Sequence, residues 1–273
     1  MFARRTCRRC VRCGGVFNRR SGLVVVALIA AGCARWLPAP VPMKSLAYPV
    51  GAERARCLLV MLPGAGDGAG TFEKHGFVEA VRARRLSVDV VAANATMGYY
   101  FKGLLVDRLR ADVLEAHKAR GYAQTWFLGI SMGGMGSLMT ADRWEGVADG
   151  LVLFAPYLGD EKLVAEVEAA GGLAKWNPGP LDARFDEETY QRHVWAWLKR
   201  ATAEGKPELY LGYGTDDRMG RAARVLGQAL PDGHVATAPG GHDWPPWNKL
   251  WGDLLDHSAF AAACAGGLGF PRR

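Results

Sequence analysis

The sequence predicts a three-layer α/β fold, in which helices cover both faces of a mostly parallel central sheet. From Cys57 onward, short apolar runs alternate with helical patterns. The runs are continuously apolar, which is typical of strands buried on both faces of a parallel sheet. The chain has 273 residues, of which 49% are hydrophobic, so it can build one large core.

Six apolar runs are predicted to be strands. The first is ended by Pro63 and Gly64, which favour a turn. In chain order the predicted strands lie at residues 57–62, 87–92, 125–130, 151–154, 208–213 and 234–238.

Five stretches between or after these strands are predicted to be helices. The clearest is 104–120, because Leu105, Leu109, Val113 and Ala116 recur on one face and Gly121 stops the pattern. All five lie at residues 77–85, 104–120, 132–141, 219–230 and 250–263.

Residues 171–205 interrupt the alternation and carry Trp176, Trp195 and Trp197. Two interpretations are open. The segment is a small lid over the strand ends, or it is a surface excursion whose tryptophans pack on the body. Either way we assign it to a single domain at residues 46–265, followed by a tail at 266–273.

The net charge of +7 belongs to the N-terminus. Residues 1–32 contain no Lys, Asp or Glu, and their seven arginines leave the rest of the chain at zero: Arg4, Arg5, Arg8, Arg9, Arg12, Arg19 and Arg20. A nucleic-acid-binding body would need a basic face on the folded domain. The sequence therefore predicts no nucleic-acid partner.

Residues 1–32 have the pattern of a secretory signal. A basic stretch through Arg20 precedes nine apolar residues, 23–31, and then Gly32. This run is too short to span a bilayer, which takes about 20 residues in a helix. An organellar transit peptide and an over-extended gene start are the competing interpretations.

The segment from Ile29 to Cys33 resembles a bacterial lipobox, although Ala30 stands where leucine is more usual. That resemblance implies cleavage before Cys33, lipid on its new amino terminus and attachment of an exported protein to a membrane of the cell envelope. Residues 33–45 are predicted to be a tether, because their prolines at 38, 40 and 42 disfavour helix.

The other cysteines predict no metal site. Cys7, Cys10 and Cys13 are spaced as CxxCxxC, but a metal usually needs four ligands and no partner pair follows. Cys57 lies in a strand pattern and Cys264 in an Ala-rich helical tail, so both are most simply buried thiols. An envelope compartment would also allow them to pair.

Residues 129–133, Gly-Ile-Ser-Met-Gly, match GxSxG with Ser131 at the centre. The match lies directly between a predicted strand and a predicted helix. A nucleophilic serine on such a tight turn needs small neighbours, and Gly133 and Gly134 let the helix pack close. A glycine-rich turn with a capping serine is the alternative.

With this motif in this context, residues 57–263 resemble an α/β-hydrolase, a family whose catalytic residues follow the order Ser, acid, His. The fifth strand ends in Gly214-Thr215-Asp216-Asp217, similar to the family's G-x-x-D turn, in which the acid lies three residues after the glycine. The resemblance implies Asp217 as the acid. Asp216 is the alternative, and the other aspartate is then a turn residue or helix cap.

Gly240-Gly241-His242 follows the sixth strand. With Trp244 and Trp247 after it, this loop resembles the histidine loop of the esterase branch that includes enterochelin esterases and S-formylglutathione hydrolases. The resemblance implies His242 as the base. His75 lies in a loop near the expected site and is a candidate substrate contact, whereas the remaining histidines have no such placement.

The residue types fit acyl chemistry. A serine hydroxyl is a weak nucleophile until a base removes its proton, which His242 can do near neutral pH while Asp217 fixes its tautomer. The oxyanion needs two donors, which by family position are the N–H groups of Met132 and Ala65, with Gly64 as the alternative to Ala65.

These observations predict a serine esterase that acts on a small-molecule carboxylic ester and needs no metal or organic cofactor. Acyl transfer to an alcohol and amide hydrolysis use the same triad. A catalytically idle lipoprotein of the same fold, used for binding, is an alternative of a different class, against which the intact Ser, Asp and His argue.

Overall fold

The computed structural model describes residues 37–51, 54–182, 184 and 189–265. The chain divides into two units, Met1–Leu37 and Pro38–Arg273, and the sheet belongs to the second. The predicted signal segment, the candidate lipidation residue Cys33, the three cysteines before it and the tail at 266–273 lie outside the described residues.

The sheet has seven strands in the order β1-β3-β2-β4-β5-β6-β7. β1 runs antiparallel to β3, and the remaining neighbours are parallel. This confirms the predicted α/β class and its mostly parallel sheet. The strands are β1 (Ser45–Tyr48), β2 (Cys57–Leu62), β3 (Val88–Ala93), β4 (Gln124–Ile130), β5 (Gly150–Phe154), β6 (Glu208–Gly214) and β7 (Val235–Ala238).

All six predicted strands are present, with ends shifted by a residue at most. β2, β3 and β5 are buried at every residue, which explains their largely apolar sequences. The charged residue among them, Asp89 of β3, pairs with Arg120 at 2.7 Å. Among the strands of the described residues, the one that the sequence analysis missed is β1, which is half-buried or exposed and occupies an edge of the sheet. A short edge strand has no continuous apolar pattern by which to recognise it.

The predicted tether at residues 33–45 is too long at its C-terminal end. Pro40 accepts a hydrogen bond of 2.6 Å from the Tyr99 hydroxyl, and the N–H of the buried Met43 donates to Asp112 at 2.7 Å. Ser45 already belongs to β1. The prolines disfavour a helix here, but their carbonyls can still accept hydrogen bonds. These hydrogen bonds hold the stretch against the domain.

The helices cover both sides of the sheet. The predicted helix at 104–120 is one run with a π-helical centre (Leu109–Leu114), and the last predicted helix is broken at Ser258, whose hydroxyl caps the next helix. No helix among the described residues is long and apolar enough to cross a membrane. The helices are α1 (Thr71–Lys74), α2 (Phe77–Ala83), α3 (Met97–Phe101), α4 (Leu105–Arg108), α5 (Glu115–Lys118), α6 (Met132–Arg143), α7 (Glu161–Ala169), α8 (Tyr190–Glu204), α9 (Gly220–Gly227), α10 (Trp244–His257) and α11 (Ala259–Ala263).

The three tryptophans of residues 171–205 are buried in the hydrophobic core. Trp195 lies on α8 and donates its indole N–H to the Leu158 carbonyl at 2.6 Å. Trp176 donates to Glu166, which also pairs with Arg192 at 2.7 Å. The hydrogen bond from Arg192 is the main cause that lowers the pKa of Glu166 to about 2, so this link between α7 and α8 is ionised near neutral pH.

Cys57 and Cys264 form a disulfide, with their Cα atoms 5.7 Å apart. The expectation of two free buried thiols is therefore wrong, although both residues are fully buried as expected. Cys57 begins β2 and Cys264 follows α11, 207 residues later, so only the folded chain shows that they meet. The bond ties the end of the domain to the start of a central strand.

Removing this disulfide is expected to lower the free energy of unfolding by about 2–4 kcal/mol, because the cross-link restricts the unfolded chain. The test is guanidinium denaturation of the Cys57→Ala/Cys264→Ala variant. Reduced wild type should match the variant, which separates loss of the bond from a packing defect. Equal stability of the variant and the oxidised wild type would contradict the expectation.

Candidate active site

Ser131 occupies a strained turn between β4 and α6, where its φ is 54°. A positive φ is unusual for a residue with a side chain, and such strain concentrates at functional sites. A side chain at Gly133 would clash with the Leu62 carbonyl, which explains why the turn needs glycine there. Ser131 is buried, with 8% of its surface exposed.

His242 and Asp217 lie together at the carboxyl ends of β7 and β6. The Nδ1 atom of His242 is 2.9 Å and 3.0 Å from the two carboxylate oxygens of Asp217. The Asp217 side chain is completely buried, and its Oδ1 also accepts a hydrogen bond of 2.7 Å from the Met219 N–H. This contact fixes the carboxylate, which in turn orients the imidazole.

Asp216, the alternative acid, is exposed on the same turn. Its N–H donates to the Gly240 carbonyl at 2.9 Å, and its carboxylate accepts a long hydrogen bond of 3.4 Å from the Thr215 hydroxyl. A side chain at Gly214 would clash with that same Gly240 carbonyl. The absence of a β-carbon at Gly214 therefore lets the acid turn and the histidine loop approach closely.

The loop after β2 lies beside the serine. A β-carbon added to Gly64 would lie 3.7 Å from the Ser131 Cβ. The Asp67 N–H donates to the Gly64 carbonyl at 3.2 Å, which closes a turn whose corner is the exposed Ala65. The backbone N–H groups of Gly64 and Ala65 are thus carried close to Ser131 on a tight turn.

Aromatic rings form a row next to His242. The imidazole of His242 lies edge-on to Trp247, with ring centroids 5.1 Å apart, and Trp247 meets Trp244 at 5.5 Å. Trp244 in turn stacks on His75 at 3.9 Å with nearly parallel planes. The row places His75, the candidate substrate contact, at the histidine-loop side of the site.

Ser131 makes no hydrogen bond to His242 among the interactions of the described residues. Catalytic hydrogen bonds of this kind are often long in a ligand-free protein and tighten only when substrate binds. The structure therefore brings His242 and Asp217 into contact and places Ser131 on its own strained turn. In the described part of the chain, no group of three or more His, Cys, Asp or Glu side chains could hold a metal ion.

Three residues that the sequence analysis missed support these turns. Tyr100 donates from its hydroxyl to the Met132 carbonyl at 3.0 Å, and burial raises the pKa of Tyr100, which keeps that donor protonated. Asn94, directly after β3, accepts from the Ala69 N–H at 3.1 Å and braces the loop after β2. Tyr157 donates its backbone N–H to the Ser131 carbonyl. Only Asn94 carries a sequence signal, a polar residue at a strand end.

A cavity of about 480 Å³ lies away from this site, at the amino-terminal ends of the central strands. It is lined near the starts of β2 and β4, by Leu58 and Thr125, and by Trp144 with Arg110 stacked over its ring at 3.8 Å. Side chains of both charges line the cavity, including the basic Arg110 and the acidic Glu115 and Glu145. None of the residues that carry the predicted chemistry contributes to it.

No protein-family model and no curated protein matches the sequence. Solved structures do match the fold. A ferulic acid esterase is 14% identical with a TM-score of 0.56, and the match covers 78% of this chain and 96% of that one. FphF, a fluorophosphonate-binding serine hydrolase of Staphylococcus aureus, is 14% identical with a TM-score of 0.52, and the match covers 78% of this chain and 96% of that one.

The S-formylglutathione hydrolase FrmB of Staphylococcus aureus is 16% identical with a TM-score of 0.51, covering 78% of this chain and 94% of that one. Likeness at such low identity establishes the fold. Together with the sheet order and the strand-turn-helix around Ser131, it shows that this chain has the α/β-hydrolase fold.

Proposed function

We propose that this protein is a serine hydrolase that cleaves a small-molecule carboxylic ester through an acyl-enzyme on Ser131. The observation that carries the proposal is the contact between His242 Nδ1 and the buried Asp217 carboxylate, in the loops after the last two strands. A buried carboxylate that accepts the Nδ1 proton leaves Nε2 free to act as a base.

In the first step, Ser131 Oγ attacks the ester carbonyl carbon while His242 Nε2 takes the hydroxyl proton. The carbonyl π electrons move to oxygen and form an oxyanion. Collapse of this intermediate breaks the bond to the alcohol oxygen, which leaves with the proton that His242 held. Water then attacks the acyl-enzyme with the same base and releases the acid.

Asp217 stabilises the imidazolium that forms in each step, and its hydrogen bond from the Met219 N–H holds it in place. The oxyanion would accept hydrogen bonds from the N–H of Met132 and that of Ala65, with Gly64 as the alternative. Met132 is the first residue of α6, where N–H groups have no partner within the helix, and the helix dipole there favours negative charge.

The similar solved structures support ester chemistry by what they are named: a ferulic acid esterase, an S-formylglutathione hydrolase and a fluorophosphonate-binding serine hydrolase.

The proposal is tested with p-nitrophenyl esters of graded acyl length. We expect turnover of at least one of these esters. The His242→Gln variant should lose it, whereas a change at His117, which lies on α5 and hydrogen-bonds through its ring to the Val113 carbonyl, should leave it unchanged. A wild type inert towards every ester and towards a fluorophosphonate would contradict the proposal and favour an idle binding protein.

We further propose that the chain is exported and held at the cell envelope by lipid on Cys33. The disulfide between Cys57 and Cys264 supports export, because disulfides persist in oxidising compartments. The arginine-rich head, apolar run and Gly32-Cys33 pattern support processing at this cysteine.

Cys33→Ser is expected to abolish incorporation of a fatty-acid analogue and to release the protein from membranes. Attachment would come from acyl chains, at about 0.8 kcal/mol per buried CH₂, so high salt should not release the wild type. The test is metabolic labelling in a bacterial host that processes lipoproteins, with Cys264→Ser as the control that keeps its label. An unlabelled wild type would contradict lipidation and leave a plain signal peptide.

A further inference from the structure

A second strained turn faces the serine turn. Ala155, directly after β5, has a φ of 44° and is fully buried. Its N–H still donates to the Gly212 carbonyl of β6 at 2.8 Å, so the strained residue remains attached to the sheet. Glycine would adopt this conformation without strain. A buried alanine held in it indicates a conformation that the surroundings impose.

The turn at Ala155 delivers two backbone groups to Ser131. The Phe154 carbonyl accepts from the Ser131 N–H at 2.8 Å, and the Tyr157 N–H donates to the Ser131 carbonyl at 3.0 Å. Both peptide groups that flank the serine are thus bonded to one four-residue segment. We call residues 154–157 the clamp.

The second of these bonds also acts on the Met132 N–H. That N–H and the Ser131 carbonyl belong to the same peptide group, which is planar and trans, so they point in opposite directions. The carbonyl accepts from the Tyr157 N–H on the clamp side, at 3.0 Å, and from two N–H groups of the first turn of α6, Gly134 at 3.0 Å and Met135 at 3.3 Å. Fixing the carbonyl on the clamp side therefore fixes the N–H on the other side, where the oxyanion is proposed to form.

Pro156 completes the clamp by packing. A β-carbon added to Gly134 would lie 2.7 Å from the Pro156 Cβ, so the first turn of α6 rests directly on the proline ring. The ring fixes the backbone φ of Pro156, between the strained Ala155 and the donor Tyr157. The clamp is therefore rigid along its length and in contact with the helix that begins at Met132.

We propose that the clamp is a positioning device: through the Tyr157 N–H and the turn at Ala155 it aims the Met132 N–H at the oxyanion. This inference rests on the proposed serine hydrolase function. Tyr157 acts through the Ser131–Met132 peptide and is a positioning residue, which predicts a loss in turnover rather than in substrate binding.

The test replaces Tyr157 by its α-hydroxy acid analogue, which exchanges the N–H for an ester oxygen and keeps the side chain. Deleting an oxyanion donor outright costs about 10²–10³-fold in kcat, so misaiming one should lower kcat by about 10–100-fold. KM should stay within about twofold, because the ground-state ester uses this donor weakly. Affinity for phenylboronic acid, whose serine adduct carries an oxyanion, should fall in parallel with kcat.

The matched control is the same exchange at Tyr122, whose N–H makes no hydrogen bond with other described residues. Unchanged kcat and boronate affinity in the 157 ester, or an equal loss in the 122 control, would overturn the clamp. A wild type that neither turns over esters nor reacts at Ser131 would instead overturn the proposed function.

Discussion

Ser131→Ala is expected to lower ester turnover by about 10⁶-fold, because removing the nucleophile costs about as much as removing a whole triad. The turn consists of Ser131 between Ile130, the last residue of β4, and Met132, the first residue of α6, and neither neighbour carries a hydroxyl. The measurement is steady-state hydrolysis of the best p-nitrophenyl ester found for the wild type. The variant should unfold at the wild-type temperature, because alanine removes a single hydroxyl.

Ser137→Ala is the matched control. Ser137 lies on the same helix and is also buried, but its hydroxyl donates to the Gly133 carbonyl at 2.9 Å within the helix. We expect this variant to lose a little stability and to turn over the ester at the wild-type rate. Full activity in Ser131→Ala would remove Ser131 from the mechanism, whatever the control does.

Asp217→Asn is expected to lower kcat by about 10⁴-fold, as in triads whose orienting acid becomes an amide. An amide can present its NH₂ group to His242 Nδ1, which stabilises the wrong tautomer and leaves no acceptor for the Nδ1 proton. Asparagine keeps the shape of the buried side chain, so KM should change far less. The measurement is kcat and KM for the same ester.

Asp216→Asn is the neighbouring control. Asp216 is exposed, and its carboxylate makes a long hydrogen bond with the Thr215 hydroxyl rather than with His242, so its loss should change kcat by less than about threefold. The reverse pattern, with Asp216 indispensable and Asp217 replaceable, would mean that the acid turn adopts another arrangement during catalysis.

Patterns local in sequence predicted most of the fold. The runs that became β2, β3 and β5 are buried at every residue, and that burial on both faces is what a continuous apolar pattern indicates. The serine turn could equally be predicted from sequence, because a GxSxG motif between a strand and a helix reflects steric requirements of the turn itself. The resemblance to the family's G-x-x-D turn implies Asp217 rather than Asp216 as the acid, and the structure places Asp217 against His242.

Features that depend on distant contacts escaped prediction. β1 is an edge strand of four residues, and its pairing with β3 is what defines it. The partner of Cys57 lies 207 residues away. The clamp has no motif at all, because Tyr157 contributes a backbone N–H that any residue except proline would offer, and the strain at Ala155 exists only in the folded chain.

The central claim, that Ser131 is the activated nucleophile of this site, is tested most directly by fluorophosphonate labelling followed by peptide mapping. The reagent reacts covalently with a serine that a neighbouring base activates. We expect one label per wild-type chain, on the peptide that contains Ser131, slow labelling of His242→Gln and none of Ser131→Ala. An unlabelled wild type, or a label on any other residue, would contradict the claim.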